Sequence, residues 1–182
     1  KKIIEISVKE CKNKIPVVCG TTGWLDKMTE IEKVCLENDS AFLHASNFSI
    51  GVNIFFKVNK YLTKIMHKHG SNYKASINEI HHTKKLDSPS GTAIRLAEDI
   101  IRNSEYRKWK LGKQNNDCLQ IESSRNGDNP GTHSVNYLSK VDEISIKHEA
   151  FKRDGFALGA IIAAEWLIDK KGVFSMDDVL KI

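Results

Sequence analysis

The apolar and polar positions along the chain divide it into short strands and amphipathic helices. Ile3, Ile4, Ile6 and Val8, set among Lys and Glu, read as the tail of an amphipathic helix, a strand being the alternative for so short a piece. Ile15-Pro16-Val17-Val18-Cys19 is a continuous apolar run closed by Gly20-Thr21-Thr22-Gly23, the pattern of a buried parallel strand ending in a tight turn. From about residue 26 to 38, Met28, Ile31, Val34, Cys35 and Leu36 recur at helical spacing, and Ala41-Phe42-Leu43-His44-Ala45 is the next strand. The order strand, helix, strand is a βαβ unit.

Ser46-Asn47-Phe48-Ser49 offers N-cap candidates for a long helix with Ile50, Ile54, Val58, Tyr61 or Leu62, and Ile65 on one face, stopped by Gly70. From Tyr73 to His82 the period becomes two. Tyr73, Ala75, Ile77, Glu79 and His81 then face one way and Lys74, Ser76, Asn78, Ile80 and His82 the other, so the adjacent histidines point to opposite sides. A helix over about 92–103 follows, with Ile94, Ala97 and Ile101 in register, and then a polar connection over 104–117. Cys118–Ser124, Ser134–Leu138 and Asp142–Ala150 predict strands of an antiparallel or mixed sheet. Gly155–Ile168 is a nearly all-apolar helix, and Phe174–Ile182 a short closing helix capped by Ser175.

Composition narrows the function classes. The 182 residues carry 28 Lys+Arg against 23 Asp+Glu and are 40% hydrophobic, the balance of an ordinary globular chain. The basic residues are scattered, with Arg107-Lys108-Trp109-Lys110 the tightest cluster, which argues against a nucleic-acid surface. Phe156–Leu167, the most apolar stretch, is about half the roughly 20 residues a bilayer requires, so no membrane span is expected. The start lacks the apolar region of a signal peptide, and the four cysteines show no zinc-ligand spacing. The expectation is a cytoplasmic protein with reduced thiols and no metal.

Chemistry concentrates in Glu79-Ile80-His81-His82-Thr83-Lys84-Lys85-Leu86-Asp87-Ser88-Pro89-Ser90-Gly91-Thr92-Ala93, between a strand and a helix. Imidazoles titrate near neutrality and suit acid–base work, and a lysine ammonium stabilises charge developing beside it. The N–H groups of Gly91 and Thr92 would be unpaired in the first helical turn and attract a carboxylate or phosphate. Each feature also has an ordinary use, since Pro-Ser-Gly-Thr is a common turn and helix cap. It is their density that points to a site. Gly20-Thr21-Thr22-Gly23 and Ala45-Ser46-Asn47-Phe48 end two neighbouring strands, where α/β sheets bind ligands, although no G-x-G-x-x-G occurs and Asn47 could simply cap its helix.

The run from Glu79-Ile80-His81-His82 through Lys85 and Asp87 to Pro89-Ser90-Gly91-Thr92-Ala93 resembles the signature of the dihydrodipicolinate reductases, also called 4-hydroxy-tetrahydrodipicolinate reductases. Gly20–Trp24, Ala45–Asn53, Arg125 with Gly127 and Pro130-Gly131-Thr132, and Arg153 with Phe156, Gly159 and Ala160 resemble family segments in the same order. The resemblance implies an α/β fold: a partial Rossmann-like dinucleotide-binding domain, residues 1–48 and 155–182, plus an α+β substrate and tetramerisation domain, 49–154, with hinged closure between them. It also implies a strand, Gly-rich turn and helix ahead of Lys1, about 50 to 80 residues judged by the size of a βαβ unit. Without that turn the chain as given is expected not to hold a dinucleotide properly.

The implied activity is reduction of a cyclic dicarboxylate, 4-hydroxy-tetrahydrodipicolinate, to tetrahydrodipicolinate with NADH or NADPH, in diaminopimelate and lysine biosynthesis. His81 matches the family's proton donor or acceptor and Lys85 a second proton-donating residue. His82, Gly91 and Thr92 match substrate-holding groups, and Gly20, Thr21, Thr22, Ala45, Ser46, Asn47 and Phe48 cofactor-binding positions. A homotetramer is implied as well. The alternatives are another NAD(P)-dependent reductase of this architecture, since fold alone does not fix the reaction, and a non-catalytic dicarboxylate-binding protein.

Overall fold

The computed structural model describes residues 2–70, 72–112 and 117–182. The chain divides into two compact units, residues 1–53 with 154–182, and residues 54–153.

In the first unit, strands β1 (Val17–Cys19), β2 (Ala41–His44) and β8 (Gly172–Phe174) pair in parallel in the order β1-β2-β8. Alternation along β2 builds two cores. Phe42 packs with Cys11, Cys19, Trp24, Ile31 and Cys35, which come largely from helices α1 (Lys2–Lys12) and α2 (Met28–Glu37). Ala41 and Leu43 pack with Phe48 and with Ala163, Leu167 and Met176 of helices α5 (Asp154–Leu167) and α6 (Met176–Leu180). Helices thus cover both faces of a parallel sheet, the arrangement that lets strands be buried on both sides. β8 falls beside the expected closing helix, which shortens to α6. Three half-buried residues carry no periodicity; pairing of Gly172 with Ala41 makes them a strand. Both the N–H and the hydroxyl of Ser175 donate to Asp178 Oδ2, at 2.7 and 2.8 Å, fixing the start of α6.

The second unit is a mixed sheet of β3 (Lys74–His81), β4 (Lys108–Leu111), β5 (Cys118–Arg125), β6 (Gly131–Leu138) and β7 (Glu143–Ala150), in the order β4-β5-β3-β6-β7. β4, β5 and β3 are parallel, and β6 and β7 antiparallel. β4 lies inside the expected polar connection. Lys-Trp-Lys-Leu is too polar to announce a strand, yet it forms one at the edge, where only Trp109 is half-buried. Residues 113–116 of that connection lie outside the described residues.

Helices α3 (Ile50–His69) and α4 (Gly91–Arg102) belong to the face bearing Ala75, Ile77, Glu79 and His81. The expected inner stripe of α3 is its outer one: Ile54, Val58, Tyr61 and Ile65 are exposed, whereas Val52, Phe55, Phe56, Asn59, Thr63 and Met66 are buried. The two phenylalanines present more apolar surface, and the inward polar residues find partners. Asn59 Nδ2 donates to the Leu96 carbonyl at 3.3 Å, and Thr63 Oγ1 donates to the Asn59 carbonyl at 2.7 Å and lies 3.2 Å from Tyr137 Oη. On α4 the buried stripe is Ala93, Leu96, Ala97 and Ile100, one residue before Ile94 and Ile101. Ser90 sets this start, its Oγ accepting from Ala93 N at 3.2 Å.

No helix of the described residues is long and apolar enough to cross a membrane. Gly159 carries the tightest constraint on α5, because a Cβ there would run into the Phe48 carbonyl. Gly159→Ala is therefore expected to cost about 1–3 kcal/mol by overpacking, read as a lower denaturation midpoint; an unchanged midpoint would show that α5 shifts freely.

Candidate active site

The site grows from one register of the second sheet. Pairing sets Ser123 on β5, Glu79 on β3, His133 on β6 and His148 on β7 side by side. Strand alternation keeps His81, two residues on from Glu79, on the same face. Glu79 is 1% exposed, and its carboxylate accepts from the Ser90 N–H at 3.0 and 3.1 Å and from Ser123 Oγ at 2.6 Å. His81 Nδ1 lies 3.6 Å from Glu79 Oε2, His133 Nε2 3.5 Å from it, and Arg125 Nη1 3.7 Å from Oε1. Glu79, His81 and His133 bring donor atoms within 4.8 Å of one another, a metal-like spacing. Ser90 and Ser123 already engage both carboxylate oxygens, and Ser90 Oγ stands 3.1 Å from His133 Nε2.

Electrostatics follow from this packing. Burial would raise the Glu79 carboxyl, but hydrogen bonds from His133, Ser123 and Ser90 outweigh it and hold it down to about 2. His81 is pushed down to about 4 by burial first, then by the charge of His133, with Lys85 and Arg125 adding to the effect against the pull of Glu79. The His81 and His133 rings meet edge to face at 4.9 Å, and neither Nδ1 has a hydrogen-bond partner among the described residues. Gly131, at φ 151°, lies so close to His81 Nε2 that a Cβ would sit 3.2 Å away.

Beyond His81 the chain turns sharply, with Lys85 N donating to the His82 carbonyl at 3.1 Å and Asn126 N to that of His81 at 2.8 Å. Lys85 Nζ donates to Asp87 Oδ1 at 2.7 Å, and this ion pair lowers the Asp87 carboxyl. Gly91 and Thr92 form the first turn of α4, where helix geometry directs their N–H groups away from any intrahelical acceptor. His81 thus lies beside Glu79, Gly91 and Thr92 follow Ser90, and Lys85 joins the network through its carbonyl, which accepts from Arg125 Nε at 3.3 Å. His82 has a different neighbour, its Nε2 lying 3.1 Å from Arg153 Nη2. Glu79, Ser123, Arg125 and His133 were not marked as site residues in the sequence. The buried period-two position of Glu79, on the face of His81, was the available signal.

The remaining positions lie in the first unit. Gly20, Thr21 and Thr22 follow β1 as an exposed turn. Trp24 Nε1 donates to the Thr21 carbonyl at 2.8 Å, and a Cβ at Gly20 would meet the Phe48 ring at 3.0 Å. After β2, Ala45 and Phe48 are buried, while Ser46 is exposed. Asn47 Oδ1 accepts from Ser49 N at 2.9 Å, closing a turn, and Ser49 Oγ accepts from Val52 N at 3.4 Å, so Ser49 rather than Asn47 caps α3. These two loops share the carboxyl edge of a parallel sheet, with a glycine and exposed Thr and Ser residues. That fits one flank of a bound dinucleotide.

Comparison with known proteins places this geometry in context. The family described as dihydrodipicolinate reductase, C-terminus, matches residues 51–180, a stretch that contains the whole Glu79 cluster. The 4-hydroxy-tetrahydrodipicolinate reductase of Christiangramia forsetii is 51% identical over 170 residues, covering 93% of this chain and 71% of its own length. Those of Methanocaldococcus jannaschii and Buchnera aphidicola subsp. Schizaphis graminum are 38% and 37% identical, with 64% and 63% of their lengths covered. The chain therefore spans about two thirds of the length of these relatives. A dipicolinate-bound dihydrodipicolinate reductase from Paenisporosarcina sp. TG-14 shares the fold, with a TM-score of 0.78 at 20% identity over 97% of this chain and 69% of that one.

The shifts at His81 and Glu79 make stability acid-sensitive. An unfolded His81 takes up a proton near 6.5 and the folded one near 4, so its contribution is complete above pH 6.5 and is lost as pH falls towards 4. Glu79 adds a second loss between about 4.5 and 2. Melting temperature should fall across both windows, and His81→Gln should flatten the upper one; an equally steep upper limb would assign it to other groups. Glu79→Gln should cost about 2–3 kcal/mol by leaving buried donors poorly matched, read by denaturant unfolding.

Proposed function

Because the chain belongs to the dihydrodipicolinate reductase family, we propose that its second unit supplies the substrate-holding and proton-handling groups for reduction of 4-hydroxy-tetrahydrodipicolinate to tetrahydrodipicolinate in diaminopimelate and lysine biosynthesis. The observation that carries this reading is the convergence of the Lys85–Asp87 pair and the start of α4 on the buried Glu79 network.

A cyclic dicarboxylate is a dianion, and its recognition needs N–H donors and positive charge. The first-turn N–H groups of Gly91 and Thr92, with the Thr92 hydroxyl, receive one carboxylate at the positive end of α4. His82, next to Arg153, is suited to the other. Going from substrate to product adds one hydride and one proton and releases the 4-hydroxyl as water. When bound, the reduced nicotinamide of NADH or NADPH supplies the hydride. Lys85 Nζ, released from Asp87 Oδ1, gives the proton to the substrate where negative charge develops.

His81 enters as a buried neutral imidazole, its proton affinity low in the free protein. A dianion beside it favours the protonated form and raises that affinity, so substrate arrival readies His81 to take or return a proton. Gly20, Thr21, Thr22, Ala45, Ser46, Asn47 and Phe48 would hold the cofactor on the first unit. The opposite face of the five-stranded sheet is open and polar, with Lys74, Asn78, Glu122, Glu143, Ser145, Lys147 and Glu149 exposed, which supports its use in a homotetramer.

The full-length protein should oxidise NAD(P)H when given fresh product of dihydrodipicolinate synthase. Lys85→Ala should lower kcat by about a hundredfold or more, the scale of a lost proton donor, while leaving NAD(P)H binding within twofold of the parent, about the limit of a significant change. An unaltered kcat would remove Lys85 from the mechanism. No turnover by the folded parent with either cofactor would favour a dicarboxylate-binding protein instead.

A further inference from the structure

Lys85 projects from a loop, residues 82–89, that lies between β3 and α4 and has no strand or helix of its own to fix it. The guanidinium of Arg125, at the end of β5, supplies the fixing contacts. Its Nε donates to the Lys85 carbonyl at 3.3 Å and its Nη2 to the Asp87 carbonyl at 2.6 Å. On the other side Nη1 donates to Ser123 Oγ and to the Ser124 carbonyl, both at 2.9 Å, and stands 3.7 Å from Glu79 Oε1. One planar cation therefore joins the loop carrying Lys85 to the buried carboxylate at the centre of the sheet.

We propose that Arg125 is a positioning residue of the reductase, clamping the main chain at Lys85 and Asp87 so that the Lys85 ammonium is presented in one place. The inference rests on the proton-donating role assigned to Lys85. Two features separate this role from that of a substrate-binding cation. The Arg125 side chain is only 21% exposed, and its donors are aimed at loop and strand oxygens. Glu79 Oε1, 3.7 Å from Arg125 Nη1, balances its charge.

The hydroxyl of Ser123 completes the clamp, donating to Glu79 Oε1 and accepting from Arg125 Nη1 and, at 3.0 Å, from Ser88 Oγ. Both ends of the segment 85–88 are thereby tied to β5. The assignment requires arginine in particular. A guanidinium offers five N–H donors in a rigid fork, whereas a lysine ammonium is a single point that cannot reach both loop carbonyls and Ser123 together.

The test is a double-mutant cycle in the full-length enzyme, with Arg125→Lys, Lys85→Ala and the pair. Arg125→Lys is expected to keep the melting temperature and the KM values near those of the parent while kcat falls about ten- to a hundredfold, the scale of a slightly misplaced catalytic group. In the Lys85→Ala background the same change should produce no further loss, because Arg125 acts through Lys85. Amide hydrogen exchange should quicken over residues 83–88 and stay unchanged in β3 and α4. If Arg125→Lys fails to fold, Arg125→Gln enters the same cycle.

A wild-type kcat in the Arg125 variant, or a loss that persists in full without Lys85, would overturn the clamp while leaving the role of Lys85 intact. A Lys85→Ala enzyme with normal turnover would instead overturn the reading on which the clamp rests.

Discussion

A carboxylate buried at the centre of a sheet has to be surrounded by donors or it would not remain charged, and Glu79 shows what that requirement organises. Its two oxygens collect Ser90 from the start of α4 and Ser123 from β5, with His133 from β6 and Arg125 close by. Each partner in turn fixes something else. Ser90 caps α4, Ser123 receives Ser88, and Arg125 grips the loop of Lys85. Desolvation alone would neutralise such a group; the hydrogen bonds reverse the sign.

The same burial gives the histidines their character. His81 shares the Glu79 face, and the loss of water together with neighbouring cations keeps it neutral at physiological pH. A neutral imidazole buried among fixed charges is a responsive group, because an anion placed beside it would raise its proton affinity. His82, one residue further on, has an arginine neighbour in place of the buried carboxylate. Adjacent residues thus acquire different chemistry where β3 ends and the loop begins.

Much of this was legible beforehand. The period-two run around His81, the Pro-Ser-Gly-Thr turn and the strand–helix–strand opening each rest on local sequence, and family likeness extended the reading across the chain. Those features are local because backbone geometry ties them to spacing. The inner face of α3 was not legible in the same way. Both its stripes are apolar, and only contact with Tyr137 and the Leu96 carbonyl shows that Asn59 and Thr63 point inward. β4 and β8 were hidden for a related reason, since each is short and becomes a strand only through its neighbour's pairing.

The sequence by itself determined most of the element types, the βαβ opening and the cluster of histidine, lysine and hydroxyl residues between β3 and α4. Periodicity and turn chemistry act over a few residues, so a linear reading captures them. Tertiary structure alone decided that Glu79, Ser123, Arg125 and His133 form one network, because those residues span 55 positions of chain and meet only through sheet register. It also decided the protonation of His81 and the anchoring of Lys85. Both depend on burial and on charges brought from other strands, and neither quantity exists until the sheet has assembled.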